Sequence, residues 1–301
     1  MAKNPRRAGA GKRAPKATSL LDLSYVNAVP VLLRDTEELR LYLVGCGGTG
    51  SWLAPDLARL AVEYRARWRH IRITFVDPDT VEPVNIPRQN FCHAEVGAGK
   101  AETLAARYGS AWGLEIAAVA KRFQPSLVDA PWRAAAIIIG CVDNAAARKS
   151  IASVMDRNSP TPNVWWLDCG NAVQSGQVLL GSAPTVRELT GAFAVSTFCS
   201  ALPSPALQHP ELLKPLIEEL KGARMSCAEI AMANRQALVV NKQVAAHAAA
   251  TLSQFLAGEL RYFALYFDQA SGTARSRYIT PENVMACLGQ SPRRRPKTIN
   301  A

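Results

Sequence analysis

The sequence predicts an α/β fold: a mostly parallel sheet with helices on both faces, plus a C-terminal extension of helix and β-hairpin. Three observations predict it. Between residue 40 and residue 182, short apolar runs alternate with helical stretches, the pattern of a parallel sheet whose crossovers are helices. The run AAAIIIGCVD (134–143) is apolar almost throughout, as strands buried on both faces tend to be. A glycine cluster, GCGGTG (45–50), separates the first apolar run from the first helical stretch, the place where such folds receive phosphate.

The elements follow in order. RLYLVG (40–45) reads as a buried strand ended by glycine. SWLAPDLARLAVEYRAR (51–67) reads as a helix with Pro55 near its first turn, where a missing N–H costs little. IRITFVD (71–77) is a second strand, GKAETLAARYGSAW (99–112) a second helix and LEIAAVA (114–120) a third strand. AAAIIIGCVD is the fourth strand and NAAARKSIASVMDR (144–157) the next helix. NVWWLDCGNA (163–172) and SGQVLLG (175–181) are two more strands across a polar turn. Beyond residue 182 the pattern loosens. SALPSPALQHPELLKP is a Pro-rich crossing loop, residues 227–258 form a long Ala-rich helix, and RYFALYFDQASGTARSRYITP is a hairpin with Gly272 in its turn. The architecture is Rossmann-like, and no internal repeat interrupts it.

Bulk properties narrow the function classes. Of 301 residues 49% are apolar, enough for a sizeable core, yet no apolar run approaches the roughly 20 residues that span a bilayer. The basic N-terminus lacks an apolar h-region and so does not read as a secretory signal. The net charge of +11 suggests nucleic acid until it is located. Residues 1–18 and 291–301 hold ten of the eleven net charges and no acid, which leaves residues 19–290 at +1. Both tails are expected to be disordered, with at most weak nucleic-acid contact through them. Seven scattered cysteines with no C-x-x-C pair fit a reducing cytoplasm rather than a disulfide framework.

Gly45, Gly47, Gly48 and Gly50 satisfy both G-x-G-x-x-G and G-x-G-G-x-G. Backbone N–H groups at a helix start, with glycine allowing close approach, make a phosphate cradle for a dinucleotide or a mononucleotide. Asp77, ending the second strand, suits the ribose of either. The stretch DPDTVEPVNIPRQNFCHAEVGAGKAE separates the two. It brings the cations Arg88 and Lys100 toward the glycine turn, where they stabilise charge growing on a phosphate. Asp143 ends the fourth strand on the same carboxyl edge, a natural Mg²⁺ ligand beside phosphates. Without a ligand, Asp79 caps a turn and Arg88 makes a surface ion pair.

The motifs GCGGTG, VDPDTVEPVNIPRQNF, GAGK and GCVDNAAAR resemble the ThiF/MoeB/HesA family, whose fold ubiquitin-activating enzymes share, in order and at family spacing over residues 38–182. RQNFCHAEVG, WWLDCGN, LPSPALQHPELL and SCAEIA are similar to one branch of it, the ThiF-related proteins of the PRTRC cassettes of plasmids and mobile elements. The resemblance implies ATP and Mg²⁺ as cofactors, and adenylation of the C-terminal glycine carboxylate of a small ubiquitin-like protein from the same cassette. It implies a homodimer. It places phosphates at Gly45, Gly47, Gly48 and Gly50, ribose at Asp77, phosphate-side polar groups at Asn85, Arg88 and Lys100, and magnesium at Asp143, with Asp79 also among the nucleotide-binding residues. It divides the chain into a basic tail (1–18), an ATP-binding core (19–182), a crossover, partner-binding and helical part of the same domain (183–290) and a second basic tail (291–301).

The departures matter too. Relatives often bind zinc through two C-x-x-C pairs. Here Cys199 matches one position, Ser196 stands at the other, and no second pair exists, so no zinc site is expected. The N-terminal arginine that some relatives extend across a dimer is not evident, and Arg34 is the one substitute. Cys227 matches a cysteine that some relatives use to hold the activated tail. Arg224 nearby and a helix start would favour its thiolate; the alternative is a partly buried cysteine without chemistry. Two rival functions remain. An NAD-dependent oxidoreductase fits the glycines and Asp77 but not Arg88, Lys100 and Asp143. A non-catalytic module would dock a cassette partner or DNA.

Overall fold

The computed structural model describes residues 23–158, 163–215 and 227–288; the basic tails lie outside them. The elements are β1 (Glu38–Val44), α1 (Gly48–Glu63), β2 (His70–Val76), α2 (Lys100–Trp112), β3 (Ile116–Val119), β4 (Ala134–Gly140), α3 (Ala145–Met155), β5 (Val164–Asn171) and β6 (Ser175–Gly181). They continue with α4 (Pro205–Gln208), α5 (Cys227–Ala257), β7 (Tyr262–Asp268), β8 (Thr273–Tyr278) and α6 (Pro281–Cys287).

One eight-stranded sheet runs in the order β3-β2-β1-β4-β5-β6-β7-β8. Strands β1 to β5 are parallel, and β6, β7 and β8 join antiparallel. The central strand β4 has an unbroken apolar sequence, and every one of its residues is buried. Helices α1, α2 and α5 cover one face, with Trp165 of β5 against Phe255 of α5 at a ring-centroid distance of 4.8 Å. Helix α3 covers the other, over Tyr42, Ile138 and Trp166. The sheet therefore has the expected mostly parallel, doubly covered form, with a β7–β8 hairpin turning at Gly272 (φ +67°). Among the described residues, no helix is long and apolar enough to cross a membrane.

Several boundaries differ from the sequence reading for physical reasons. Helix α1 starts at Gly48, inside the glycine cluster, so Pro55 falls in its second turn. A proline there strips the Ser51 carbonyl of its helical donor. The Asn90 side chain replaces it, donating Nδ2–H to Ser51 O at 3.2 Å, while Asn90 N–H donates to Ser51 Oγ at 2.9 Å. The strand expected at 134–143 stops at Gly140, and that expected at 71–77 stops at Val76, leaving Asp143 and Asp77 in the connections beyond them. The C-terminal helix α6 was not anticipated. Its signal is Thr280 capping Asn283 N–H at 3.1 Å with Pro281 in the first turn.

Candidate functional site

Strand order reverses between β1 and β4, the switch point at which open α/β sheets leave a crevice at their carboxyl edge. The glycine turn leaves β1 there. Gly45 adopts φ +88°, and its N–H donates to Val76 O at 2.9 Å. A Cβ on Gly45 would lie 2.6 Å from Cys141 O, and one on Gly50 only 1.9 Å from Gly45 O. The turn thus folds onto its own helix and onto the exit of β4. Gly47 precedes α1 with no side-chain cap, so the first helical N–H groups lack that partner. Such a helix start favours an anion.

Asp77 braces the turn from β2. Its Oδ2 accepts Cys46 N–H at 2.6 Å and its Oδ1 accepts Asp79 N–H at 2.9 Å. Burial raises its carboxyl pKa, against the lowering pull of those two N–H groups and of Lys100. Lys100, the first residue of α2, is buried, and its ammonium donates to Asp79 Oδ2 at 3.1 Å. Asp77, Asp79, Lys100 and the glycine turn therefore form one connected cluster.

The loop carrying Arg88 is fixed to α1 by the Asn90–Ser51 bonds and by Trp52 Nε1–H, which donates to Arg88 O at 3.1 Å. Asn85 is buried and turns this loop: its Oδ1 accepts Glu82 N–H at 3.0 Å, and its carbonyl accepts Gln89 N–H at 2.9 Å. Arg88 makes no ion pair among the described residues, and its Nε is buried without a partner. The neighbouring Gln89 is buried with its Oε1 unpartnered, its amide nitrogen 3.8 Å from where a Gly47 Cβ would sit. Buried polar groups without protein partners beside a glycine turn leave hydrogen-bonding capacity for a polar ligand or water. Gln89 was missed in the sequence, although it lies within the quoted loop.

Asp143 stands on the other side of the turn. Cys141 N–H donates to Val44 O at 2.8 Å, which holds the β4 exit against β1. The Asp143 carboxylate is exposed and accepts one bond, from Asn144 Nδ2 at 3.2 Å. Asn144 caps α3 through Ala147 N–H at 2.9 Å. An exposed hard-oxygen donor of this kind suits a Mg²⁺ ion that keeps most of its waters. Beneath it lies a pair the sequence reading also missed. Arg148 donates Nε–H to Asp168 Oδ1 at 3.2 Å, and Asp168 is fully buried with Oδ2 unpartnered. Burial raises the Asp168 pKa, while Arg148 and then His209 pull it down. Arg148 closes the GCVDNAAAR motif and Asp168 interrupts an apolar run, so both carried a signal. Asn241 carried none. It reaches from α5 to accept Thr49 Oγ1–H at 3.3 Å and also bonds Asn171.

The cysteines divide. Cys46 is buried in the turn, and burial raises its thiol pKa well above the ordinary value. Cys199 is buried, donates to Ala201 O at 3.0 Å, and is pushed up by that burial to about 12, which argues against a nucleophilic role. Cys227 opens α5, as the sequence suggested for a helix start, but its side chain and Arg224 lie outside the described residues. Arg34 stacks on Trp132 and bonds its carbonyl within the chain.

Fold and site together define a Rossmann-like α/β protein whose carboxyl edge carries a glycine turn beside the buried Lys100 and the half-buried Arg88. The chain belongs to the ThiF family, whose sequence model matches residues 27–194. Its fold is similar to that of PaaA, at a TM-score of 0.51 and 14% identity over 81% of this chain and 65% of PaaA. It is also similar to E. coli MccB solved with AMPCPP and MccA, at 0.50 and 16% over 80% of this chain and 64% of MccB. MccB with a succinimide gives 0.51 and 16% over 84% and 65%. The chain thus spans about two thirds of the length of these neighbours. No curated protein sequence matches it.

Proposed function

We propose that the protein is an ATP-dependent adenylyltransferase that activates the C-terminal glycine carboxylate of a small ubiquitin-like protein. One observation carries the reading: the glycine turn faces a buried lysine, Lys100, and a loop whose Arg88 Nε and Gln89 Oε1 are buried without partners. Family membership and the likeness to MccB, solved with an ATP analogue and MccA, support it.

In this mechanism the first N–H groups of α1 cradle phosphate at Gly45, Gly47, Gly48 and Gly50. Asp77 has oxygen lone pairs beyond its two backbone donors and accepts a ribose hydroxyl. A carboxylate oxygen of the tail attacks the α-phosphorus in line; the bond to the bridging oxygen breaks, and pyrophosphate leaves with the electron pair. Lys100 and Arg88 stabilise the charge that builds on the phosphate oxygens, and Asn85 holds the Arg88 loop. Asp143 would hold Mg²⁺, which neutralises charge on the departing pyrophosphate. Cys227 is the proposed acceptor of the activated tail: its thiolate attacks the acyl carbon, the bond to the phosphate oxygen breaks, and AMP leaves with the electron pair. The partner comes from the same PRTRC-type cassette, and the enzyme works as a cytoplasmic homodimer.

The test is exchange of labelled pyrophosphate into ATP, with small candidate proteins added one at a time. Exchange with a glycine-ended ubiquitin-like protein is expected. ATP binding without exchange for any candidate would favour a docking module. Binding of NAD and not ATP would favour an oxidoreductase.

A further inference from the structure

A second concavity lies at the opposite end of the sheet, about 20 Å from the carboxyl edge at the rise of a β-strand. It arises from a register mismatch. Strand β2 starts at His70, but β3 pairs with it only from Ile73, opposite Ile116. Residues 70–72 therefore have β1 on one side and no strand on the other. His70 N–H donates toward β1, to Glu37 O at 3.4 Å. Backbone groups alternate sides along a strand, so Ile71 turns its N–H and carbonyl to the open side.

A cavity of about 640 Å³ occupies this notch, with Arg65, Arg69, His70 and Arg72 in its walls and Glu115 as the one acid among its lining residues. The segment RARWRHIR (65–72) places three of its four arginines here, Arg65, Arg69 and Arg72, although residues 19–290 as a whole are nearly neutral. Arg69 and His70 make no ion pair among the described residues. Arg65 donates to Gly113 O at 3.1 Å and makes no ion pair among the described residues, and Arg72 shares Glu38 with Arg40.

We propose that this notch docks an extended acidic segment of a partner protein, laid as a short strand beside residues 70–72 with its carboxylates on Arg65, Arg69 and Arg72. A free strand edge supplies main-chain hydrogen bonds, and the flanking charges select the sequence. A second copy of this chain would bring the same arginines and be repelled. A polynucleotide has no groups to continue a strand ladder, and Trp68 is buried and offers no stacking face. The inference does not depend on the chemistry at the glycine turn.

The test is fluorescence anisotropy of a labelled octapeptide of alternating Glu and Val against the full chain. Saturable binding is expected, weakening with salt as exposed charge pairs do. The Arg65→Glu/Arg69→Glu variant, altered only at exposed side chains, should bind at least about tenfold more weakly. It should keep its melting temperature and its response to ATP. N-methylating alternate residues of the peptide, which removes strand hydrogen bonds without changing charge, should also abolish binding. No saturable binding, equal binding of a Lys–Val peptide, or an unaffected N-methylated peptide would overturn the proposal. A single-stranded oligonucleotide that binds more tightly and displaces the peptide would assign the notch to nucleic acid instead.

Discussion

Replacing Asp168 with alanine should be the most damaging single change near the site, for a reason unrelated to cavity size. Asp168 is fully buried, and Arg148, whose side chain is 11% exposed, pairs with it. Removing the acid leaves a guanidinium in an apolar wall without its partner. Breaking such a pair costs about 3–5 kcal/mol. At about 2–4 °C per kcal/mol for a domain of this size, the melting temperature should fall by roughly 6–20 °C. The double change Arg148→Met/Asp168→Leu removes both charges and should return to within about 1 kcal/mol of wild type. The raised pKa of Asp168 adds a pH signature. A carboxyl raised on folding adds stability below its unfolded value, and that stability is lost as pH rises through the folded value. Wild type should therefore lose stability relative to Asp168→Asn as pH climbs from about 3.8, the ordinary value for this group. Thermal and urea unfolding followed by circular dichroism reads all four proteins. If the double variant is as unstable as Asp168→Ala, or if Asp168→Ala melts with wild type, the pair does not hold this edge together.

Other expectations are quicker to check. Gly50→Ala would place a Cβ 1.9 Å from Gly45 O, so the turn must open; the thermal shift given by ATP should disappear, and an intact shift would mean that the turn yields freely. Asp143→Ala, altered at an exposed side chain past the end of β4, should fold normally and lose pyrophosphate exchange by at least about a hundredfold; near-normal exchange would place the metal elsewhere. Purified protein should hold far less than one zinc per chain, and stoichiometric zinc after dialysis against a chelator would expose an unread site. Cys227→Ala should keep exchange but lose any thiol-sensitive adduct with the cognate protein in intact-mass spectra. A persisting adduct would remove Cys227 from the mechanism.

Much of this was legible because the pattern is local. The runs of β1, β2, β4 and β6 mark those strands to within three residues, since each is a short apolar-rich run bounded by polar or glycine-containing turns, and β4, buried throughout, is apolar throughout. That the glycine cluster, Asp77 and Lys100 come together was legible because the order of strand, turn and loop puts all three at the carboxyl edge of β1 and β2. What escaped depends on tertiary neighbours. Nothing in an Ala-rich helix announces that Asn241 will meet Thr49, which is 192 positions away. That Asp77 would clamp the turn's own N–H groups follows from how β1 and β2 align, as does the open edge at residues 70–72. The early start of α1 was hidden because glycine and proline both argue against helix. The Asn90 side chain that makes good the carbonyl left free by Pro55 comes from another part of the chain.

Helix α5 also acts as a ruler. Its Asn241 lies against the first turn of α1, and its first residue is Cys227, fourteen positions earlier. At the rise of an α-helix that separation is about 21 Å. On the proposed mechanism, an acyl group activated beside the glycine turn would form well away from the start of that helix. A tail still anchored to its folded domain would need about six extended residues to cover the interval. A shorter tail would reach the thiol only if its globular domain shifted along the helix or α5 unwound at its beginning. Trimming the partner's tail one residue at a time would thus separate two tolerances, one for activation and one for transfer, and the difference between them would measure how far this helix moves.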